Sequence, residues 1–276
     1  GGLMRVLITG GAGLVGSTLI ATAPEGVEVH ATQRNAPVVG APAHTIDLAD
    51  PDEPVGLLAA IRPDVVIHTA YGTADLERDV TAATRSIAAA CAIEGVALIH
   101  LSSDVVFDGE HAPYAEDAPL VPVHAYGRAK AEAEADVVTA VPDVAIVRPS
   151  LVCATDPLDP RSAWVVDTLR AGRPITLFTD EIRCPVRADD LALMLWDLVA
   201  LPRAERAGAW HLVGPGALSR VELGTILAEA HGLDPAQITA ASSRDQPDPR
   251  PRDLTLTVER SGGLPTRPRS VATLWA

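Results

Sequence analysis

The run Arg5-Val6-Leu7-Ile8-Thr9-Gly10-Gly11-Ala12-Gly13-Leu14-Val15-Gly16-Ser17-Thr18-Leu19-Ile20-Ala21 starts as a strand, breaks on glycines and resumes as a helix. Its glycines satisfy both G-x-G-x-x-G (Gly11, Gly13, Gly16) and G-x-x-G-x-x-G (Gly10, Gly13, Gly16). Glycines in that context permit a tight turn, let the backbone approach a pyrophosphate, and allow close helix–strand packing. The helix N-terminus then faces the phosphate charge. The run predicts a dinucleotide site at the first strand–helix junction, with Gly10, Gly13, Leu14, Val15 and Gly16 around the phosphates.

Strands and helices alternate outward from this point. Val27 to Thr32 reads as a second strand and His44 to Leu48 as a short third one. A helix from about Asp52 to Ile61 leads to the apolar strand Val65 to His68. A longer helix, about Asp75 to Glu94, precedes the strand Ala97 to Leu101, and Val144 to Arg148 is a further strand. Such alternation predicts an α/β fold with a doubly wound parallel (Rossmann) sheet over residues 1–150. Ligands of such sheets bind beyond the carboxyl ends of the strands, which places Ala70 and Tyr71 at the cofactor. His68 reads as a packed strand residue. After Pro149 the pattern loosens. A loop over Asp156 to Arg161 is followed by helices at Ala163 to Ala171, Ala188 to Ala200 and Arg220 to His231. Strands are expected at Ile175 to Phe178 and Trp210 to Leu212. Residues 151–276 read as a smaller substrate lobe, partly interleaved with the sheet.

Where an NAD-specific site carries Asp or Glu, about 20 residues past the glycines, this chain has Thr32-Gln33-Arg34. Arg34 can pair with a 2′-phosphate that a carboxylate would repel. The expected cofactor is therefore NADP(H), in preference to NAD(H).

Composition narrows the rest. The formal charge of −14 argues against nucleic acid or an anionic membrane as partner. No apolar run approaches the ~20 residues that span a bilayer. Arg5 leads straight into Val6-Leu7-Ile8, so no secretory signal is expected. Three widely spaced cysteines suggest free thiols in a reducing, cytoplasmic setting. The eight histidines show no ligand spacing, and no metal site is expected.

Two polar clusters carry chemistry. Tyr126 and Lys130 are four residues apart in Tyr126-Gly127-Arg128-Ala129-Lys130 and share one helix face. An ammonium near a phenol favours the phenolate and lowers its pKa toward the working range, making Tyr126 a proton donor to a carbonyl under reduction. Upstream, Ser102-Ser103-Asp104 follows a strand, where a hydroxyl can hydrogen-bond a substrate carbonyl and stabilise its growing oxyanion. Without G-x-S-x-G, a hydrolase serine is not expected.

Together, Gly10-x-x-Gly13-x-x-Gly16, Ser102-Ser103-Asp104 and Tyr126-x-x-x-Lys130 resemble the extended short-chain dehydrogenase/reductase family. Within it the chain is most similar to the dTDP-4-dehydrorhamnose reductase branch. Ser103-Asp104-Val105-Val106-Phe107-Asp108-Gly109, Asp180-Glu181-Ile182-Arg183-Cys184-Pro185 and Asp189-Asp190-Leu191-Ala192 match that branch's later signatures. The resemblance implies a triad of Ser103, Tyr126 and Lys130, with Ser102 the competing hydroxyl. It implies further cofactor contacts at Asp47, Leu48, Ala70, Tyr71, Ser102, Tyr126 and Lys130. Substrate contacts are implied at Ser103, Asp104 and Val105. Arg183 is singled out as a diphosphate clamp from a pool that includes Arg148, Arg187, Arg250 and Arg252. Asp104 is followed by Val105 and not by Glu, which sets the chain apart from sugar-nucleotide dehydratases. Thr81 and Ala70-Tyr71-Gly72-Thr73 depart from the branch pattern and bear on substrate identity. The activity implied is NADPH-dependent reduction of a 4-keto-6-deoxy sugar nucleotide. Reduction of another ketone, or a non-catalytic NADP-binding regulatory role, are the alternatives. A homodimer is left open.

Overall fold

The computed structural model describes residues 2–275. Strand β1 (Met4–Thr9) passes through the glycine turn into helix α1 (Leu14–Ala21), then β2 (Val27–Gln33) and β3 (Ala43–Thr45). Helix α2 (Asp52–Ile61) leads to β4 (Val65–His68). A π-helical segment, Glu77–Ala82, runs into α3 (Ala83–Glu94), followed by β5 (Ala97–Leu101), α4 (Ala125–Ala140) and β6 (Ala145–Arg148). The second half contributes α5 (Pro160–Arg170), β7 (Ile175–Phe178), α6 (Ala188–Ala200), β8 (Gly208–His211), α7 (Arg220–Ala230) and β9 (Ile238–Ala241).

Seven strands form one parallel sheet in the order β8-β6-β5-β4-β1-β2-β3. The period of two along each strand divides its side chains between two cores. Val6 and Ile8 of β1, Val65 and Ile67 of β4, and Ile99 of β5 face the layer containing α1 and α6. Leu7, Val66 and Leu98 face the layer of α2, α3 and α4, meeting Leu58, Ile87 and Val137. These strands read as continuous apolar runs because both faces are covered. Beyond the sheet, α5 and α7 pack against β7 through Val166, Leu169, Leu177, Leu223 and Leu227, a separate core. The C-terminal half is nevertheless interleaved. Helix α6 covers the main sheet with Leu191, Leu195 and Leu198, and Trp196 Nε1 donates to the Leu19 carbonyl at 3.2 Å.

Several boundaries differ from expectation. The third strand stops at Thr45, because Asp47 turns the chain by accepting from the Ala49 N–H at 3.0 Å. The helix expected at Ala163 starts at Pro160, capped by the Asp159 carboxylate on the Ser162 N–H at 3.0 Å. Asp followed by Pro is a helix-start signal, and the loop reading overran it. The helix expected from Asp75 opens instead as the π-helical segment. Among the described residues, no helix is long and apolar enough to cross a membrane, and the three cysteines are free and buried.

Candidate active site

The glycine turn is held by β2. Gly10 N–H donates to Thr32 Oγ1 at 3.1 Å and Gly11 N–H to the Thr32 carbonyl at 3.0 Å. Gly10 has φ +68°, and a Cβ there would lie 2.8 Å from Ala70 Cα. A Cβ on Gly16 would lie 2.3 Å from the Gly10 carbonyl oxygen, so only glycine lets α1 start this close to β1. Gly13 caps α1 without a side-chain bond, and no acidic residue stands in the first turn. The amides at Leu14 and Val15 are therefore free of a competing carboxylate, as a pyrophosphate requires.

Beside the turn lies a cleft of about 250 Å³. Gly10, Gly13, Arg34, Asp47, Leu48, Ala70 and Tyr71 line it, so most of the expected cofactor set converges on one space. Gly10 and Gly16 are where a side chain would close the turn, and the cleft continues past it between β2, β3 and β4. The residues present fit a dinucleotide. Sequence reasoning missed Arg78 and Asp79, which also line the cleft. They sit in the π-helical segment, and nothing in the sequence marks that segment off from an ordinary solvated helix face. Arg34 is not free. It donates to Asp79 at 2.6 Å.

The second cluster lies at the carboxyl end of β5. The Ser103 side chain caps the single helical turn Asp104–Val106, accepting from Val105 N–H at 3.4 Å. Helix α4 starts against this turn because residue 127 is glycine, whose Cβ would fall 2.4 Å from the Val105 carbonyl oxygen. His124 caps α4, its Nδ1 accepting from Gly127 N–H at 2.9 Å. Gly127 is thus the means by which the helix bearing Tyr126 and Lys130 reaches the serine turn. Ser102 Oγ is buried and has no hydrogen-bond partner among the described residues.

Lys130 is buried, and its Nζ donates to the Leu101 carbonyl at 3.0 Å. The same nitrogen lies 5.5 Å from the Tyr71 ring centroid and 5.9 Å from that of Tyr126. Burial brings the Lys130 pKa down to about 8, against a smaller opposing pull from Glu134. Tyr126 departs from expectation. Its phenol is pushed well above the usual value, first by burial and then by Tyr71, whose ring centroid is 6.2 Å away. The ammonium donates to the Leu101 carbonyl and stays 5.9 Å from the Tyr126 ring centroid, and desolvation of the phenol decides the sign. His68 is buried, bonded to Thr9 at 2.7 Å and Thr84 at 3.1 Å, and burial lowers its pKa to about 3. It is a neutral packing residue.

The arginine pool is mostly committed elsewhere. Arg183 donates to the carbonyls of Arg252 at 2.7 Å and Pro251 at 3.0 Å, and its Nε lies 3.9 Å from Asp104. Asp104 in turn accepts from Ser150 Oγ at 2.7 Å. Both residues brace the serine turn from behind, and the guanidinium expected to clamp a diphosphate is spent inside the protein. Arg148 pairs with Glu134, Arg187 with Asp189, Arg250 with Glu181 and Arg252 with Glu110. Arg161 and Arg220, not singled out from the sequence, line a small cavity of about 20 Å³ between α5 and α7.

The sheet, its glycine turn and the cleft beside it define a dinucleotide-binding protein of the Rossmann class. The family described as RmlD substrate binding domain matches residues 4–262. The chain is 32% identical to a probable low-salt glycan biosynthesis reductase of Haloferax volcanii, over 94% of this chain and 92% of that one. It is 30% identical to the dTDP-4-keto-6-deoxy-D-glucose reductase of Streptomyces niveus, over 87% and 83%. The crystal structure of a hypothetical dTDP-4-dehydrorhamnose reductase from Sulfolobus tokodaii superposes with a TM-score of 0.83 at 28% identity, covering 97% of each chain. The chain belongs to the RmlD substrate binding domain family, the dTDP-4-dehydrorhamnose reductase-like branch of the extended short-chain dehydrogenase/reductases.

Proposed function

We propose that this protein reduces the keto group of a 4-keto-6-deoxy sugar nucleotide, using NADPH bound in the cleft between the glycine turn and Arg34. The observation that carries this reading is the meeting of Tyr126, Lys130 and the serine turn at the carboxyl end of β5, made possible by Gly127. The reductase names carried by relatives of 30% identity or more support the substrate class.

The bound nicotinamide supplies the hydride. Tyr126 supplies the proton. The Tyr126 phenol is protonated at neutral pH, as a donor to a nascent alkoxide must be, while its burial makes it a weaker acid than a free tyrosine. Ser103, whose hydroxyl donates to Asp104 Oδ1 at 3.3 Å, orients the keto oxygen once that hydroxyl turns toward the substrate, and the unpartnered Ser102 Oγ is the competing donor. Lys130 keeps two N–H donors beyond its bond to Leu101, and these hold the nicotinamide ribose. Arg34 faces the 2′-phosphate.

The test is NADPH oxidation with a dTDP-4-keto-6-deoxyhexose. The parent should turn over, and Tyr126→Phe should lose about 10²- to 10⁴-fold in kcat while still binding NADPH. A parent that binds NADPH but leaves this sugar unreduced would overturn the substrate assignment. Retention of kcat by Tyr126→Phe would overturn the proton donor.

A further inference from the structure

The cleft contains an ion network that a dinucleotide must enter. Asp79 is bonded by two guanidiniums at once, by Arg34 Nη1 at 2.6 Å and by Arg78 Nη1 at 2.9 Å, both on Oδ1. Arg78 also pairs with Asp47. All four side chains line the cleft. The arginines are accessible, with side chains 47% and 39% exposed, whereas Asp79 is only 11% exposed. Asp79 packs over Gly72, where a Cβ would come within 2.5 Å of its Oδ2, so the glycine is what admits the carboxylate at this position. Arg34, and after it Arg78, hold its carboxyl below the usual carboxylate range, so it is ionised at any working pH.

One anion between two arginines is how proteins hold a phosphate group. We propose that Arg78 is the second half of a 2′-phosphate clamp with Arg34, and that Asp79 is a built-in stand-in for that phosphate which competes with it. The inference rests on reading the cleft as the dinucleotide site. A phosphate near two negative charges, with three acceptor oxygens, outbids a single carboxylate for both guanidiniums. The neutral 2′-hydroxyl of NADH cannot displace Asp79, but it can donate to it. The two arginines therefore favour NADPH while Asp79 favours NADH. Preference between them is a difference that Asp79 holds down. The π-helical segment is what brings both signs to the same place, in keeping with the frequent use of such segments at functional sites.

The test is titration of parent, Arg78→Gln and Asp79→Asn with NADPH and with NADH, followed by nucleotide fluorescence and independent of turnover. Arg78→Gln should weaken NADPH about tenfold and leave NADH within about twofold. Asp79→Asn, nearly isosteric, should tighten NADPH several-fold and leave NADH unchanged or weaker. Equal effects of either substitution on the two nucleotides would overturn the clamp, as would a loss of NADPH affinity in Asp79→Asn. A parent that binds neither nucleotide would instead overturn the reading of the cleft itself, and the inference with it.

Discussion

Lys130 is the only lysine in the chain, and it is buried to 4% exposure beside the phenol it accompanies. Its ordinary pKa of 10.5 falls to about 8 in the folded protein, because burial penalises the ammonium. Between those values the unfolded chain holds a proton that the folded chain has released. Stability contributed by this group therefore rises with pH from about 8 to 10.5, and below 8 the charge costs the fold. Urea unfolding of the parent and Lys130→Met across that window should show the difference between them grow in the parent's favour with pH. Other titrating groups cancel in the difference. A flat difference would mean that the ammonium is not desolvated. The spacing of Tyr126 and Lys130 was legible in the sequence, but the direction of the Tyr126 shift was not. Proximity suggested a phenol brought down by its neighbour, whereas depth of burial, set by how α4 packs, pushes it up. Periodicity reports which face a residue shares and says nothing of how much water reaches it.

Helix α4 is fastened to β6 by one buried pair. Arg148 donates to Glu134 through Nε at 3.0 Å and Nη2 at 2.8 Å, with side chains 6% and 4% exposed. Removing one partner strands the other charge in the interior, which costs about 3–5 kcal/mol. Glu134→Ala should lose that much stability in urea melts, and the double variant Glu134→Ala/Arg148→Met should recover part of it. If the single substitution is neutral, the pair is not holding the helix. In the sequence, Arg148 stands among the arginines that could face a diphosphate, because a strand-end arginine carries no mark of its counter-ion. Glu134 lies on a separate element, and only the packing of α4 brings the two together. Elements themselves were legible where one rule acts alone. The glycine turn, the doubly covered strands and α6 follow from local sequence. Where two rules compete, as at Asp159-Pro160 or in the π-helical segment before α3, the boundary depends on capping and on tertiary contact.

At the scale of the whole molecule, the path of the chain decides how it should unfold. Residues past Pro149 build their own core around β7, α5 and α7, yet α6 covers the main sheet and β8 completes its edge beside β6. Trp196 on α6 bonds back to α1, the helix that follows the glycine turn. The sheet cannot lose α6 and β8 without exposing the apolar face of β1, β4 and β5. The second core cannot stay docked once those elements leave. One cooperative transition is expected, although the sequence suggests a dinucleotide half followed by a substrate half. A ligand bound at the glycine turn should therefore stabilise both halves together. At 100 times its Kd, NADPH adds about 2.7 kcal/mol, or roughly 5 °C in Tm for a chain of this size. Calorimetry should show a single peak that moves as a unit, with tryptophan fluorescence and far-UV circular dichroism giving the same midpoint. Two peaks, of which NADPH moves only one, would mean that the returning segments do not couple the halves. The C-terminal half would then be an independent lobe, free to move relative to the sheet when substrate binds.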